Sequence, residues 1–228
     1  MRVAALYDVH GNLPALEAVL AAVDAERVDA IVCGGDIAAG PFPAECVALL
    51  RERGAVFVRG NADRELHSWA AGRLSAEERD ALAALPTTET LAVDGIGPVL
   101  FCHATPRSDD EIVTRLTPDS RLAEILAGVT EPVVVAGHTH VQFDRRIGSH
   151  RFVNAGSVGM AYEGRRGAFW ALLGPDVDLR RTEYDVEDAV ERIRATGHPE
   201  TDQLAQWLRE PVDPEEASSY FERGARVS

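Results

Sequence analysis

Five short apolar runs, Val3 to Tyr7, Ala30 to Cys33, Ala55 to Val58, Val99 to Cys102 and Val133 to Ala136, each stop at a polar or glycine-rich turn. Runs of this length suit strands buried on both faces, since a helix needs a longer periodic stretch. Between the first two lies Asn12-Leu13-Pro14, a cap with proline in the first turn, followed by Leu16, Val19, Leu20 and Val23 at helical spacing. Pro43 to Arg53, closed by Gly54, and Thr117-Pro118 to Ala127, closed by Gly128, predict two more crossover helices. Strand and helix alternate, which calls for a largely parallel sheet.

Asn61 to Ala71 is expected as one helix, and the segment after Ser75, with Glu78 completing a capping box and Pro86 ending it, as another. From residue 87 the pattern changes to hairpins. Asp94-Gly95, Gly148-Ser149 and Gly174-Pro175-Asp176 each separate two strand-like stretches, the last pair being Ala168 to Leu173 and Val177 to Tyr184. The expected fold is therefore of mixed α/β class: a four-layer αββα sandwich of two mixed β-sheets flanked by helices. Residues 1–185 read as this domain and 186–228 as a helical extension packed on or capping it, with helices at Val186 to Ala195 and Thr201 to Arg209 and then a polar tail.

Asp and Glu number 37 against 23 Lys and Arg, and the formal charge of -14 repels a polynucleotide backbone or an anionic lipid surface at long range. Small phosphorylated substrates remain open, because bound divalent ions reverse the field within a site. Asp8 arrives too soon for a secretory apolar segment and no run approaches membrane-spanning length, so a cytoplasmic location is expected. Cys33, Cys46 and Cys102 include no C-x-x-C pair and are read as reduced thiols.

Each apolar run ends in residues able to bind a metal: Asp8-Val9-His10, Gly34-Gly35-Asp36, Gly60-Asn61-Ala62-Asp63, His103, and Gly137-His138-Thr139-His140. Ligands of open α/β sheets gather outside the carboxyl ends of strands, so five such ends converge on one place. Any one of these motifs alone is commonly a loop cap or a turn. Together they hold four of the seven histidines of the chain, which scattered surface histidines would not do.

In this order the motifs resemble those of the calcineurin-like metallophosphoesterases, and Asn154-Ala155-Gly156-Ser157-Val158-Gly159 resembles the loop that follows G-H-x-H in small bacterial and archaeal members. The resemblance implies that Asp8, His10 and His140 hold one metal, that Asn61, His103 and His138 hold a second, and that Asp36 bridges both. It implies a catalytic part for Asp36, Asn61, His103 and His140 in phosphoester hydrolysis. Two divalent ions about 3.5 to 4 Å apart generate hydroxide at neutral pH and clamp the oxygens of an in-line displacement. Imidazole, carboxylate and amide donors without thiolate favour Mn, Fe, Zn or Ni. The expected substrate is a phosphodiester, a small nucleotide or a dinucleoside polyphosphate, with a nuclease or a non-catalytic scaffold, like the retromer subunit that resembles these enzymes, as alternatives. Oligomeric state is not legible.

One position departs from the family pattern. Most members carry histidine after Gly-Asn, as a proton donor or stabiliser for the leaving oxygen, and this chain has Ala62. His67, expected on one helical face with Asp63, is a candidate substitute acid against the plainer reading of a solvated side chain. Arg64, Arg107 and Arg165 lie near the ligand loops in sequence and are candidates to grip phosphate, against surface ion pairing. Trp207, Tyr220 and Phe221 are candidates to stack on a nucleobase, against simple docking of terminal helices.

Overall fold

Strand β1 (Val3–Leu6) lies at the centre of a five-stranded sheet, every one of its side chains buried. The structure, a computed structural model, describes residues 1–225. From β1 the chain runs through α1 (Leu13–Glu26), β2 (Ala30–Cys33), α2 (Pro43–Glu52) and β3 (Val56–Phe57). The three strands are parallel, as two helical crossovers require. The short helices α3 (Asn61–Arg64), α4 (Ser68–Ala71) and α5 (Ala76–Ala83) lead to the second sheet. That sheet holds β4 (Thr88–Val93), β5 (Gly97–Cys102), β6 (Val133–Ala136), β7 (Phe143–Ile147) and β8 (His150–Asn154), with α6 (Asp119–Ile125) between β5 and β6. The chain then returns to the first sheet with the hairpin of β9 (Ala168–Leu173) and β10 (Val177–Thr182). It closes with α7 (Val186–Thr196), α8 (Thr201–Arg209) and α9 (Pro214–Ala225).

The sheet orders are β10-β9-β1-β2-β3 and β4-β5-β6-β8-β7, both mixed. Alternation along β1 explains their stacking: Val3, Ala5 and Tyr7 share a core with Val99, Phe101, Val133 and Val135 of the other sheet, whereas Ala4 and Leu6 face Leu16, Val19 and Leu20 of α1. On the far face of the second sheet, Leu122, Ile125 and Leu126 cover Val134, Ala136 and Phe152. The result is the expected αββα sandwich. Tyr7 spans the two sheets, its phenol donating to the Val135 carbonyl at 2.8 Å, so the hydroxyl is satisfied inside the core.

Two expected elements come out differently. Asn61 to Ala71 is not one helix, because Asp63 is drawn inward. Its carboxylate accepts from the backbone N–H groups of Asp36, Ile37 and Gly60 at 2.8 to 3.0 Å, and the helix stops at Glu65, whose backbone is no longer helical (φ -130°, ψ 73°). The tail that reads as polar is the helix α9. Asp213 caps it by accepting from the N–H groups of Glu215 and Glu216, proline stands in its first turn, and Ala217, Ser218 and Glu222 form its buried side. The extension expected to reach residue 228 ends three residues beyond those described. No helix among the described residues is long and apolar enough to cross a membrane.

Candidate metal centre

The polar turns after β1, β2, β3, β5 and β6 meet at one end of the sandwich. Asp8 is fully buried, and Asp36, His103 and His140 are 4%, 1% and 5% exposed. Asp8 Oδ1 stands 3.3 Å from His140 Nε2 and 3.9 Å from His103 Nε2. Asp36 Oδ2 lies 3.8 Å from His10 Nε2 and 3.5 Å from His103 Nε2. Two groups of donor atoms fall within metal-chelating range of one another, Asp8 with His10 and His140, and Asp8 with Asp36 and His103. Asn61 Oδ1 adjoins the second group at 3.1 Å from His103 Nε2. His138 lies outside both groups, its ring 5.1 Å from that of His103.

Second partners fix the orientation of these side chains. His103 and His140 use their Nδ1 atoms on the carbonyls of Gly34 (2.9 Å) and Met160 (2.6 Å), so each ring turns Nε2 into the cavity. Asp36 Oδ1 accepts from Ala62 N–H at 2.8 Å and Asp8 Oδ2 from His138 N–H at 2.8 Å, which leaves the other oxygen of each facing the imidazoles. Asn154 braces the H-T-H turn by donating to the Gly137 carbonyl and to Thr139 Oγ1, and Ser157 Oγ donates to the Asp8 carbonyl. The packing leaves no slack: a Cβ added at Gly60 would lie 2.1 Å from Asp36 Oδ1, so that carboxylate can come this close only to glycine.

Backbone strain concentrates here. Among the described residues six non-glycine positions have positive φ, and five of them are Asp8, His10, Asp36, His138 and His140; the sixth, Arg27, caps α1. The left-handed conformation costs an ordinary residue about 1–2 kcal/mol, and it persists only where the surroundings enforce it.

The donor set fits a cation. Asp8 Oδ1 is buried without a hydrogen-bond partner. His10 Nε2 and His140 Nε2 approach to 3.1 Å, and with Nδ1 of His140 on the Met160 carbonyl it is Nε2 that faces His10 and Asp8. Burial opposes charge on the His103 ring, yet the Asp36 carboxylate beside it carries its pKa up to about 10. Without a cation that proton is what separates His103 from two carboxylates, and a divalent ion would replace it. Burial, and then His103, pushes His138 down to about 4, so this ring is a neutral donor at physiological pH.

Of the other sequence candidates, Arg64 is tied to Asp109 at 2.6 Å and Arg107 to Glu111 at 2.7 Å. Both therefore show the ion pairing that competes with phosphate binding. Arg165 is exposed and lies over the Phe169 ring at 5.3 Å. Burial and the Asp36 charge raise Asp63 to about 7, but its two oxygens are held by backbone donors, and His67 sits exposed in the extended segment just before α4. Tyr162 has no motif to announce it, yet its ring stacks on His140 with centroids 4.9 Å apart.

Stacked mixed sheets that aim carboxylate, imidazole and amide donors into one buried cluster define a metal-dependent phosphoesterase. The chain belongs to the calcineurin-like phosphoesterase superfamily, whose domain it matches over residues 1–173. It is similar to a metallophosphoesterase from Sphaerobacter thermophilus, with 30% identity, a TM-score of 0.76, and 92% of this chain and 99% of that one covered. It shares the fold of the protein PH1004 from Pyrococcus horikoshii OT3 at 20% identity and a TM-score of 0.81, over 93% and 99% of the two chains. The protein MJ0912 of Methanocaldococcus jannaschii is 28% identical over 243 residues, covering 91% of this chain and 96% of that one.

Proposed function

We propose that the chain hydrolyses phosphodiesters or small phosphorylated metabolites, nucleotides included, with two divalent ions of Mn, Fe, Zn or Ni. Asp8, His10 and His140 would hold the first, Asn61, His103 and His138 the second, and Asp36 would bridge them. The observation that carries this reading is the unpartnered, buried Asp8 Oδ1 amid converging imidazole nitrogens. When bound, two such ions supply a nucleophile from water at neutral pH and positive charge for the phosphoryl oxygens.

The protein's own part is positional. Gly34 and Met160 hold the tautomers of His103 and His140, Ala62 N–H holds one Asp36 oxygen so that the other faces both sets, and burial keeps bulk water from competing. Water attacks phosphorus as the P–O bond to the leaving group breaks; the proton that the water loses passes to solvent, and the leaving oxygen departs as an anion. Ala62 has no proton to give that oxygen, so leaving groups stable as anions, aryl esters and pyrophosphates, should be preferred to alkyl esters.

The test is a screen of bis(p-nitrophenyl) phosphate, nucleotide and alkyl phosphoester substrates with each of the four metals after chelation. Metal-restored hydrolysis, faster for aryl than for alkyl esters, is expected. Absence of turnover with every metal would leave the scaffold reading in its place.

A further inference from the structure

Beside the metal centre lies a cavity of about 300 Å³ lined by Tyr162, Trp207, Tyr220, Phe221, Glu216 and Arg223, together with Val212 and Ala217. Four of these side chains are aromatic. Two of them reach the centre directly: Tyr162 stacks on His140, and the Phe221 ring lies 6.4 Å from that of His138. The remaining wall comes from α8, α9 and Val212 between them, all of which follow the part of the chain that matches the family domain.

Core packing accounts for only part of this wall. The buried side of α9 is Ala217, Ser218 and Glu222, and the Glu222 carboxylate anchors the helix by accepting from Thr114 Oγ1 at 2.8 Å and from Thr117 Oγ1. Arg115 pairs with Glu215 at 3.1 Å and fixes its other end. Tyr220 has no such duty. It is 68% exposed, the most exposed large hydrophobic residue among those described, and it carries the Arg223 guanidinium over its face at 5.9 Å. An anchored helix thus holds an exposed aromatic ring and an arginine at the edge of a cavity whose walls Tyr162 and Phe221 pack against the candidate ligands His140 and His138.

We propose that this cavity is a subsite for a nucleobase, and that the phosphoester taken by the centre is a nucleoside phosphate. The proposal rests on the phosphoesterase reading and adds the substrate class. Stacking on aromatic faces with arginine support recognises any base through its π-face. The volume is at the lower end of that of small-ligand sites, enough for a mononucleotide fragment. The overall charge of -14 disfavours a long polynucleotide.

The test measures adenosine 5′-monophosphate and ribose 5-phosphate as competitive inhibitors of bis(p-nitrophenyl) phosphate hydrolysis by the metal-loaded protein, since the two differ only in the base. Adenosine 5′-monophosphate should inhibit about 5- to 150-fold more tightly, the range of one stacked base. Tyr220→Ala should shrink the ratio of the two inhibition constants several-fold, and Tyr220→Phe, which keeps the ring, should restore it. In metal-free protein, adenosine alone should quench tryptophan emission, and Trp207→Phe should remove that quenching. Equal inhibition by the two phosphates, or a ratio that Tyr220→Ala leaves unchanged, would overturn the subsite while hydrolysis itself stood. Failure of every metal to support hydrolysis would instead remove the phosphoesterase reading, and the subsite with it.

Discussion

The two sheets meet the centre with different chemistry. The turns after β1, β2 and β3 bring Asp8, His10, Asp36 and Asn61, and so all of the negative charge, whereas those after β5 and β6 bring His103, His138 and His140, imidazole alone. Neither half is a metal site by itself: carboxylates crowded together repel, and three imidazoles lack the anionic donors that hard or borderline divalent ions prefer. Only the stacked sandwich combines them. The difference teaches that assembly of the site and assembly of the core between the sheets are one event.

Asp36→Asn strikes the anionic half and should have the largest effect. Turnover should fall about 10³-fold or more, several kcal/mol of lost charge stabilisation, and elemental analysis should show both metals depleted from two per chain. A full metal complement in that variant would break the shared-bridge assignment. Replacing His103 or His140 by Ala strikes the imidazole half, with an expected loss of about 10²–10³-fold for either, although the proposed arrangement gives each to a different metal. Near-normal turnover of one of them at saturating metal would mean that a single ion suffices.

Asn154→Ala removes the brace of the H-T-H turn without touching a candidate ligand. A 10–100-fold weakening in metal affinity, followed by titration of activity against metal, is the expected result. Ala62→His would place a new imidazole on the carboxylate side. It should raise turnover of alkyl esters about tenfold, short of the 10²–10⁴ of an optimised general acid, and change nitrophenyl esters less. His67→Ala should stay within about twofold of the parent rate, since the ring is exposed and separate from Asp63; a larger loss, with the alkaline limb of the pH profile shifted or removed, would make His67 the missing acid.

Much of this centre is legible in the chain because donors placed directly after buried strands have little freedom to be elsewhere. Asp8, Asp36 and His103 follow apolar runs that can only be strands, and the ends of parallel strands gather. What escapes is whatever depends on side-chain competition in three dimensions. Asp63 reads as part of a continuous helix, but two backbone donors from the loop after β2 and a third at Gly60 win it, and the helix breaks. The segment from Pro214 looks like a tail because its apolar face is built from alanine, serine and a threonine-bound glutamate, not from leucine. Tyr162 announces nothing by spacing, because its partner His140 is reached through the fold. Arg64 and Arg107 carry the right charge near the right loops, yet in so acidic a chain nearby carboxylates claim them first.

The left-handed backbone at Asp8, His10, Asp36, His138 and His140 has a consequence for metal choice. Conformations of this kind are imposed by the surrounding strands and loops during folding, so the ordering entropy of the cage is settled before any ion arrives. An incoming ion then need not recruit its ligands, and little rearrangement energy separates one ion from the next. Discrimination among Mn, Fe, Zn and Ni is left to donor chemistry and to supply, which for nitrogen and oxygen sites follows the Irving–Williams order. A protein so built would take the ion its surroundings offer, and its metal content would record the medium in which it folded.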